Sequence, residues 1–241
     1  LAKSNPAWYG IELEYGLHTK LAMAKFVHSF EDEIYLKSDG SIRGGNHKAE
    51  MVSHPGSFTH LMSPDSWVSH LHTLDAEDMP LNNGCHIHIS RTAFKDSKHY
   101  AKFKFLIQDN DELLELVGGR PLTSYCDKKT AKKLIHKCDK DYTGGEKYST
   151  VNECHRATIE LRFMASSNKP DQVKRYLQFI DSMLKYTAYY HQSASYQAYF
   201  SYVTKYKETY PLVHAILEAN QSVIRGEVVY KEPKLVEMNL N

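Results

Sequence analysis

A chain of 241 residues, 41% of them hydrophobic, is long enough to build a sizeable core. Its 30 Lys+Arg against 29 Asp+Glu leave a formal charge of +1, which excludes a global field recruiting nucleic acid or an acidic membrane surface. No apolar run approaches the ~20 residues of a membrane span, and the start from Leu1 to Pro6 lacks the apolar stretch of a signal peptide, so a soluble, cytoplasmic protein is expected. Cys85, Cys126, Cys138 and Cys154 form no C-x-x-C pair, and reduced thiols are expected. The one zinc set that can be drawn, Cys126, Cys138, Cys154 and His155, has irregular spacing. No repeat or linker divides the chain, which predicts a single domain over 1–241 whose part from 195 to 241 is Tyr-rich and mainly helical.

In chain order, Tyr9-Gly10-Ile11-Glu12-Leu13-Glu14-Tyr15 alternates as a strand, with Glu12 and Glu14 on one side and Ile11, Leu13 and Tyr15 on the other. Turn signals follow at Ser38-Asp39-Gly40-Ser41 and Gly44-Gly45-Asn46. Lys48 to Ser53 is a less clean strand that offers Glu50, just before His54-Pro55. Ser63-Pro64 predicts the start of a helix carrying Trp67, Val68, Leu71 and Leu74 and ending near Asp78. After the turn Asn82-Asn83-Gly84, Cys85 to Ser90 alternates again and puts His86, His88 and Ser90 on one side. A helix from about Tyr100 to Val117 should stop at Gly118-Gly119. From Ala157 to Phe163, Thr158, Glu160 and Arg162 share one side while Ile159, Leu161 and Phe163 share the other. Beyond Pro170 the stripe Val173, Tyr176, Leu177, Ile180, Met183 and Leu184 predicts a helix lying on a sheet. From Tyr196 to about Ile224 the pattern is helical, its tyrosines reading as packing.

Polar residues at alternate positions are usually only the wet face of antiparallel strands. Here, however, they are Glu, Glu, His, His and Glu rather than a Thr, Lys and Ser mixture. Two carboxylates ~4 Å apart repel by ~4 kcal/mol at an effective dielectric of ~20, so such a cluster calls for a cation, a proton or exposure. Oxygen-rich donors with one or two imidazoles suit Mg²⁺ or Mn²⁺.

The ordered set resembles the glutamine synthetase-like carboxylate-amine ligases, and most closely their amidoligase group. The shared order is an E-x-E strand (Glu12, Glu14), a D-G-S turn (Asp39-Gly40-Ser41), a Glu on a middle strand (Glu50), an H-x-H-x-S strand (His86, His88, Ser90) and a T-x-E-x-R strand (Thr158, Glu160, Arg162). It spans Tyr9 to about Leu184. The resemblance implies an α+β fold: a curved, mainly antiparallel sheet with helices packed on its outer face. It implies that Glu14 and Glu50 hold one Mg²⁺ or Mn²⁺, and that Glu12, His86 and Glu160 hold the metal that binds the ATP phosphates. Arg162, Asp39 and Glu50 would be catalytic, Arg162 by stabilising the transferring phosphoryl group. His88 and Ser90 would lie near the nucleotide. Lys37 and Arg156 are basic neighbours for its phosphates, with Arg120 beside Pro121 better suited to a loop. Where glutamine synthetases carry a second middle-strand Glu, this chain offers only Asp39, whose other use is to form the turn.

The implied reaction activates a small-molecule or peptide carboxylate as an acyl phosphate, which an amine converts to an amide or isopeptide; a monomer or dimer is expected. Two alternatives stand beside it: a metal-dependent amidase on the same scaffold, and a non-catalytic binding protein. No P-loop or dinucleotide fingerprint offers another nucleotide site.

Overall fold

The computed structural model describes residues 6–17, 20–42, 47–74, 83–123, 139–144, 146–189 and 194–221. The alternating first segment forms β1 (Trp8–Leu17), followed by helix α1 (Lys20–Ser29), β2 (Ile34–Lys37), β3 (His47–Ser53), the short β4 (Gly56–Ser57) and α2 (Phe58–Met62). Then come β5 (Gly84–Ser90), α3 (Ser97–Asp109), α4 (Asp111–Gly118), β6 (Val151–Asn152), β7 (Thr158–Ala165), α5 (Pro170–Thr187), α6 (Tyr196–Lys205) and α7 (Pro211–Ala219). The strands make one 7-stranded sheet in the order β2-β3-β1-β5-β7-β6, with β4 also on β1. Each of these pairings is antiparallel, giving the expected α+β class. β1 is central, so its residues are flanked on both sides by paired strands.

The period of two sorts the sheet into two chemistries. Tyr9, Ile11, Leu13 and Tyr15 of β1, Cys85, Ile87 and Ile89 of β5, and Ile159, Leu161 and Phe163 of β7 all lie buried in the hydrophobic core. Helices α3, α4 and α5 close that face; the Phe163 and Phe179 rings, for example, meet edge to face at 6.1 Å between centroids. α5 is more than the one-sided helix that its stripe predicts. Gln178, on its far side, is also buried because α6 and α7 cover it, its Oε1 accepting from the backbone N–H of Leu212 and Val213.

Three helix expectations are corrected. Ser63 closes α2 rather than opening a helix, and a 3-10 helix over Trp67–Thr73 begins at Ser66, whose hydroxyl accepts from Val68 N–H. The buried Val68, Leu71 and Leu74 are spaced by three, which is the 3-10 period rather than the α period. The expected end near Asp78 lies outside the described residues, as do Gly44-Gly45-Asn46 and Asn82. The stretch from Tyr100 to Val117 is two helices, because the Asn110 carboxamide accepts from Leu113 N–H and caps a new start. Its stop is as expected: Gly119 takes a left-handed φ of 71° as the C-cap of α4. The last helical stretch is split at Tyr210-Pro211, since Pro211 has no N–H to continue a helix but suits its first turn. Residues 222–241 lie outside the description. No helix among the described residues is long and apolar enough to cross a membrane.

Candidate metal centre

Residues directly opposite one another on antiparallel strands point to the same face, so the strand register dictates which side chains meet. Glu14 stands opposite Glu50, Glu12 opposite His86, His88 opposite Glu160, and Lys37 opposite Glu50. The face away from the helices therefore gathers Glu12, Glu14, Glu50, His86, His88 and Glu160 from four neighbouring strands. Glu50, His86 and Glu160 are buried, while Glu12, Glu14 and His88 are partly so.

The donor atoms form a continuous chain. His86 Nδ1 lies 3.6 Å from Glu12 Oε2 and 3.4 Å from Glu160 Oε1, and its Nε2 lies 3.8 Å from Glu14 Oε1. His88 Nε2 lies 3.4 Å from Glu12 Oε1, and Lys37 Nζ is 3.7 Å from that same oxygen. Glu14 is fixed by its other oxygen, which accepts from Gly84 N–H at 2.6 Å. Arg162 pairs closely with Glu160 Oε1 and stacks over the Tyr148 ring. Three groups of donor atoms lie within 4.8 Å of one another: Glu14, Asp39 and Glu50; Glu12, Glu50 and His86; and His88, His155 and Glu160.

A bulge sets the direction of Arg162. Between Cys85↔Met164 and Ile87↔Leu161 the register shifts, so β7 carries one residue more than β5. The two carbonyls this exposes, on Arg162 and Phe163, accept from the Arg120 guanidinium. Arg120 lies on the loop after α4, as expected, and its buried guanidinium is the bulge's clamp. Gly84 belongs to the same corner: a Cβ there would come 2.6 Å from His86 Nε2.

The charges are unequal in their setting. Burial raises the Glu12 carboxyl, but the close contacts and positive charge of the His86 and His88 rings overcome this and hold it far below the usual range. Glu160 is likewise raised by burial and, on balance, lowered by His86 and Arg162. Glu50 goes the other way, pushed up to about 7 by burial and by the negative charge of Glu12, with Lys37 only partly opposing. A carboxyl that holds a proton near neutrality beside three other acids marks a place where positive charge is short.

The remaining expected residues scatter more. Asp39 does form the turn, its Oδ1 accepting from both the N–H and the hydroxyl of Ser41 at 2.7 Å, and it also reaches the Glu14 and Glu50 group. Ser90 Oγ accepts from Trp8 N–H. Arg156 is exposed on the loop before β7 and has no part in the cluster's contacts. Cys126 and Cys138 lie outside the described residues. Two residues near Glu160 carry roles that strand alternation does not reveal: Asn152 donates to Glu160 Oε2 at 2.6 Å, and His155 Nε2 lies 3.1 Å from that oxygen. Beside the cluster lies a cavity of about 850 Å³ whose walls include Trp8, Gly10, Glu12, Tyr35, His88 and Ser90.

No family model matches this chain, and neither does any curated protein. Among solved structures, a GmaS/ADP complex (conformation 1) is 14% identical with a TM-score of 0.46, over 93% of this chain and 70% of that one. Apo GmaS without ligand is 13% identical with a TM-score of 0.43, over 93% and 69%. The Plasmodium falciparum glutamine synthetase, solved by cryo-electron microscopy, is 12% identical with a TM-score of 0.45 over 76% of this chain, which spans 52% of that one.

Proposed function

We propose that this chain is a carboxylate-amine ligase that uses ATP and Mg²⁺ or Mn²⁺ to form an amide or isopeptide through an acyl phosphate. The observation that carries it is the convergence of four carboxylates and two imidazoles on one sheet face, with Arg162 bound at its edge. The donor set fits hard divalent cations: it is mostly carboxylate oxygen and partly buried, and burial with the negative charge of Glu12 pushes the Glu50 carboxyl up to about 7. Glu14, Asp39 and Glu50 would hold one cation, and Glu12, His86 and Glu160 the other. Bound there, the cations would supply the positive charge that neutralises phosphoryl oxygens.

The protein side chains then position and balance charge. The aromatic walls of the neighbouring cavity, Trp8 and Tyr35, suit a nucleotide base, and His88 and Ser90 its sugar and phosphates. Lys37, with Arg156 on the exposed loop before β7, would be the basic residues for the phosphate tail. Arg162, pre-aimed by the bulge, offsets negative charge on the phosphoryl group as it moves. A substrate carboxylate oxygen attacks the γ-phosphorus and ADP leaves. An amine nitrogen then attacks the acyl carbon, inorganic phosphate leaves and the nitrogen loses a proton. Neither step needs a covalent nucleophile from the chain. We take residues 1–241 as one catalytic domain, cytoplasmic and monomeric or dimeric.

The test is ADP and phosphate release from ATP, Mg²⁺ and pooled carboxylates and amines. Glu160→Gln should slow it by about a hundredfold, as loss of a charge-stabilising group does. Absence of nucleotide binding at millimolar ATP would overturn the proposal, and amide cleavage without ADP would move it to a hydrolase.

A further inference from the structure

The third donor group does not share the character of the other two. The carboxylate of Glu160 is divided between two environments: Oε1 faces Arg162 and His86, whereas Oε2 faces Asn152 and His155. His88 stands directly opposite Glu160 in the β5–β7 register, and its ring meets that of His155 edge on, with centroids 5.1 Å apart. We infer that His88 Nε2, His155 Nε2 and Glu160 Oε2 form a separate cation position that takes a transition-metal ion such as Zn²⁺ or Co²⁺ in preference to Mg²⁺.

Three observations carry this. First, the ring of His88 is oriented from behind, its Nδ1 lying 3.0 Å from Thr158 Oγ1, the arrangement that frees the other nitrogen of a ligating histidine. Second, that other nitrogen is buried and makes no hydrogen bond among the described residues, although Glu12 Oε1 lies 3.4 Å away. A buried ring nitrogen whose nearest polar contact is this long one recovers little of its desolvation cost, which a metal ion would offset. Third, His155 sits on a braced loop, because the guanidinium of the buried Arg91 donates to the carbonyls of His155 at 3.0 Å and of Glu153 at 2.8 Å.

The ligand types decide the ion. Two imidazoles and one carboxylate favour borderline-soft divalent metals and leave coordination positions open, whereas the Glu14, Asp39 and Glu50 group offers only oxygen. His88 and Thr158 also line the large cavity, so an anionic group bound there comes within reach of the ion. The inference does not depend on the ligase proposal, since it rests on these three donors and needs no nucleotide.

The test uses the full chain, stripped of metal and without ATP, titrated with Co²⁺ in excess Mg²⁺ while the visible d–d absorption and the heat of binding are followed. Wild type should take up Co²⁺ despite the Mg²⁺. His155→Ala should weaken that uptake at least about tenfold, and Thr158→Val, which removes only the orienting hydroxyl, by a smaller factor. Glu50→Gln should leave it intact. Because the His155 side chain is half exposed, its variant should keep the wild-type circular dichroism and melting curve. If His155→Ala fails to fold, His155→Gln replaces it. Uptake in either histidine variant equal to wild type, or complete displacement of Co²⁺ by Mg²⁺, would overturn the inference. ADP release is not among these readouts, so the two proposals can fail separately.

Discussion

Glu50 is where the physical tension of the site is greatest. Burial, followed by the negative charge of Glu12, of Asp39 and of Glu14 opposite it in the β1–β3 ladder, pushes its carboxyl up from 4.5 to about 7. A carboxyl whose pKa is raised on folding binds more protons folded than unfolded, so without metal it stabilises less as pH climbs from about 4.5 to about 7. Glu12 and Glu160, both depressed, have the opposite sign, contributing stability above the ordinary carboxylate range that is lost on acidification. Metal-free protein should therefore lose melting temperature from pH 5 toward pH 7, Glu50→Gln should flatten that slope, and Mg²⁺ should restore stability most at the upper end. Scanning calorimetry across pH, with and without Mg²⁺, checks this; an unchanged slope in Glu50→Gln would show that Glu50 is not its source. At this scale the sequence was readable wherever alternation applied, as for Glu12, Glu14, His86 and Glu160. Asn152 was not readable as a site residue, because the two-residue β6 that sets it opposite Glu160 is too short to show alternation, and His155 was read only into the irregular zinc set, because no periodicity governs where a loop side chain points.

The elements around the site are joined by close backbone approaches. A Cβ on Gly118 would lie 2.5 Å from the Phe163 carbonyl oxygen, so α4 packs on β7 only with glycine there, while Gly119 supplies the left-handed turn that ends α4. At Gly84 the obstacle is the tip of the His86 ring, which can rotate away. The two substitutions should thus separate. Gly118→Ala must shift a helix against a strand, costing about 1–3 kcal/mol of stability. Gly84→Ala should cost less stability and mainly weaken divalent-metal binding by turning His86. Urea unfolding and metal titration on both variants measure the contrast, and a Gly84→Ala protein with unaltered metal affinity would contradict the role given to His86. Helix termini were legible where one residue does the capping chemistry, as at Gly119 and Pro170. They were misread where two candidates compete, as Ser63 and Ser66 do, or where a helix-compatible Asn110 instead caps a new start.

Across the whole molecule, the site strand is tied through the core to the carboxyl-terminal helices. The carboxylate of Asp181, buried in α5, accepts from the hydroxyl of Tyr9 in β1 at 2.9 Å and from that of Tyr210 before α7 at 2.8 Å, and pairs with Lys185. Asp181→Ala leaves both phenols buried without their acceptor and should destabilise by about 2–5 kcal/mol, more than a surface substitution does. Equilibrium unfolding in urea measures the loss, and a change below 1 kcal/mol would mean that the tyrosines find other partners. Tyr199, Tyr202, Val203, Tyr210, Val213 and Leu217 bury themselves in the same core, so these three tyrosines serve as packing, whereas Tyr206 is exposed.

The sequence by itself determined the alternation that gives the sheet one apolar and one acidic, imidazole-bearing face, because the side-chain period of a strand is a local property of the backbone. Only the tertiary structure decided which of those residues meet. Strand order, register and a one-residue bulge are settled by packing between distant segments, and they bring Glu14 to Glu50, His88 to Glu160 and the guanidinium of Arg162 to its carboxylate.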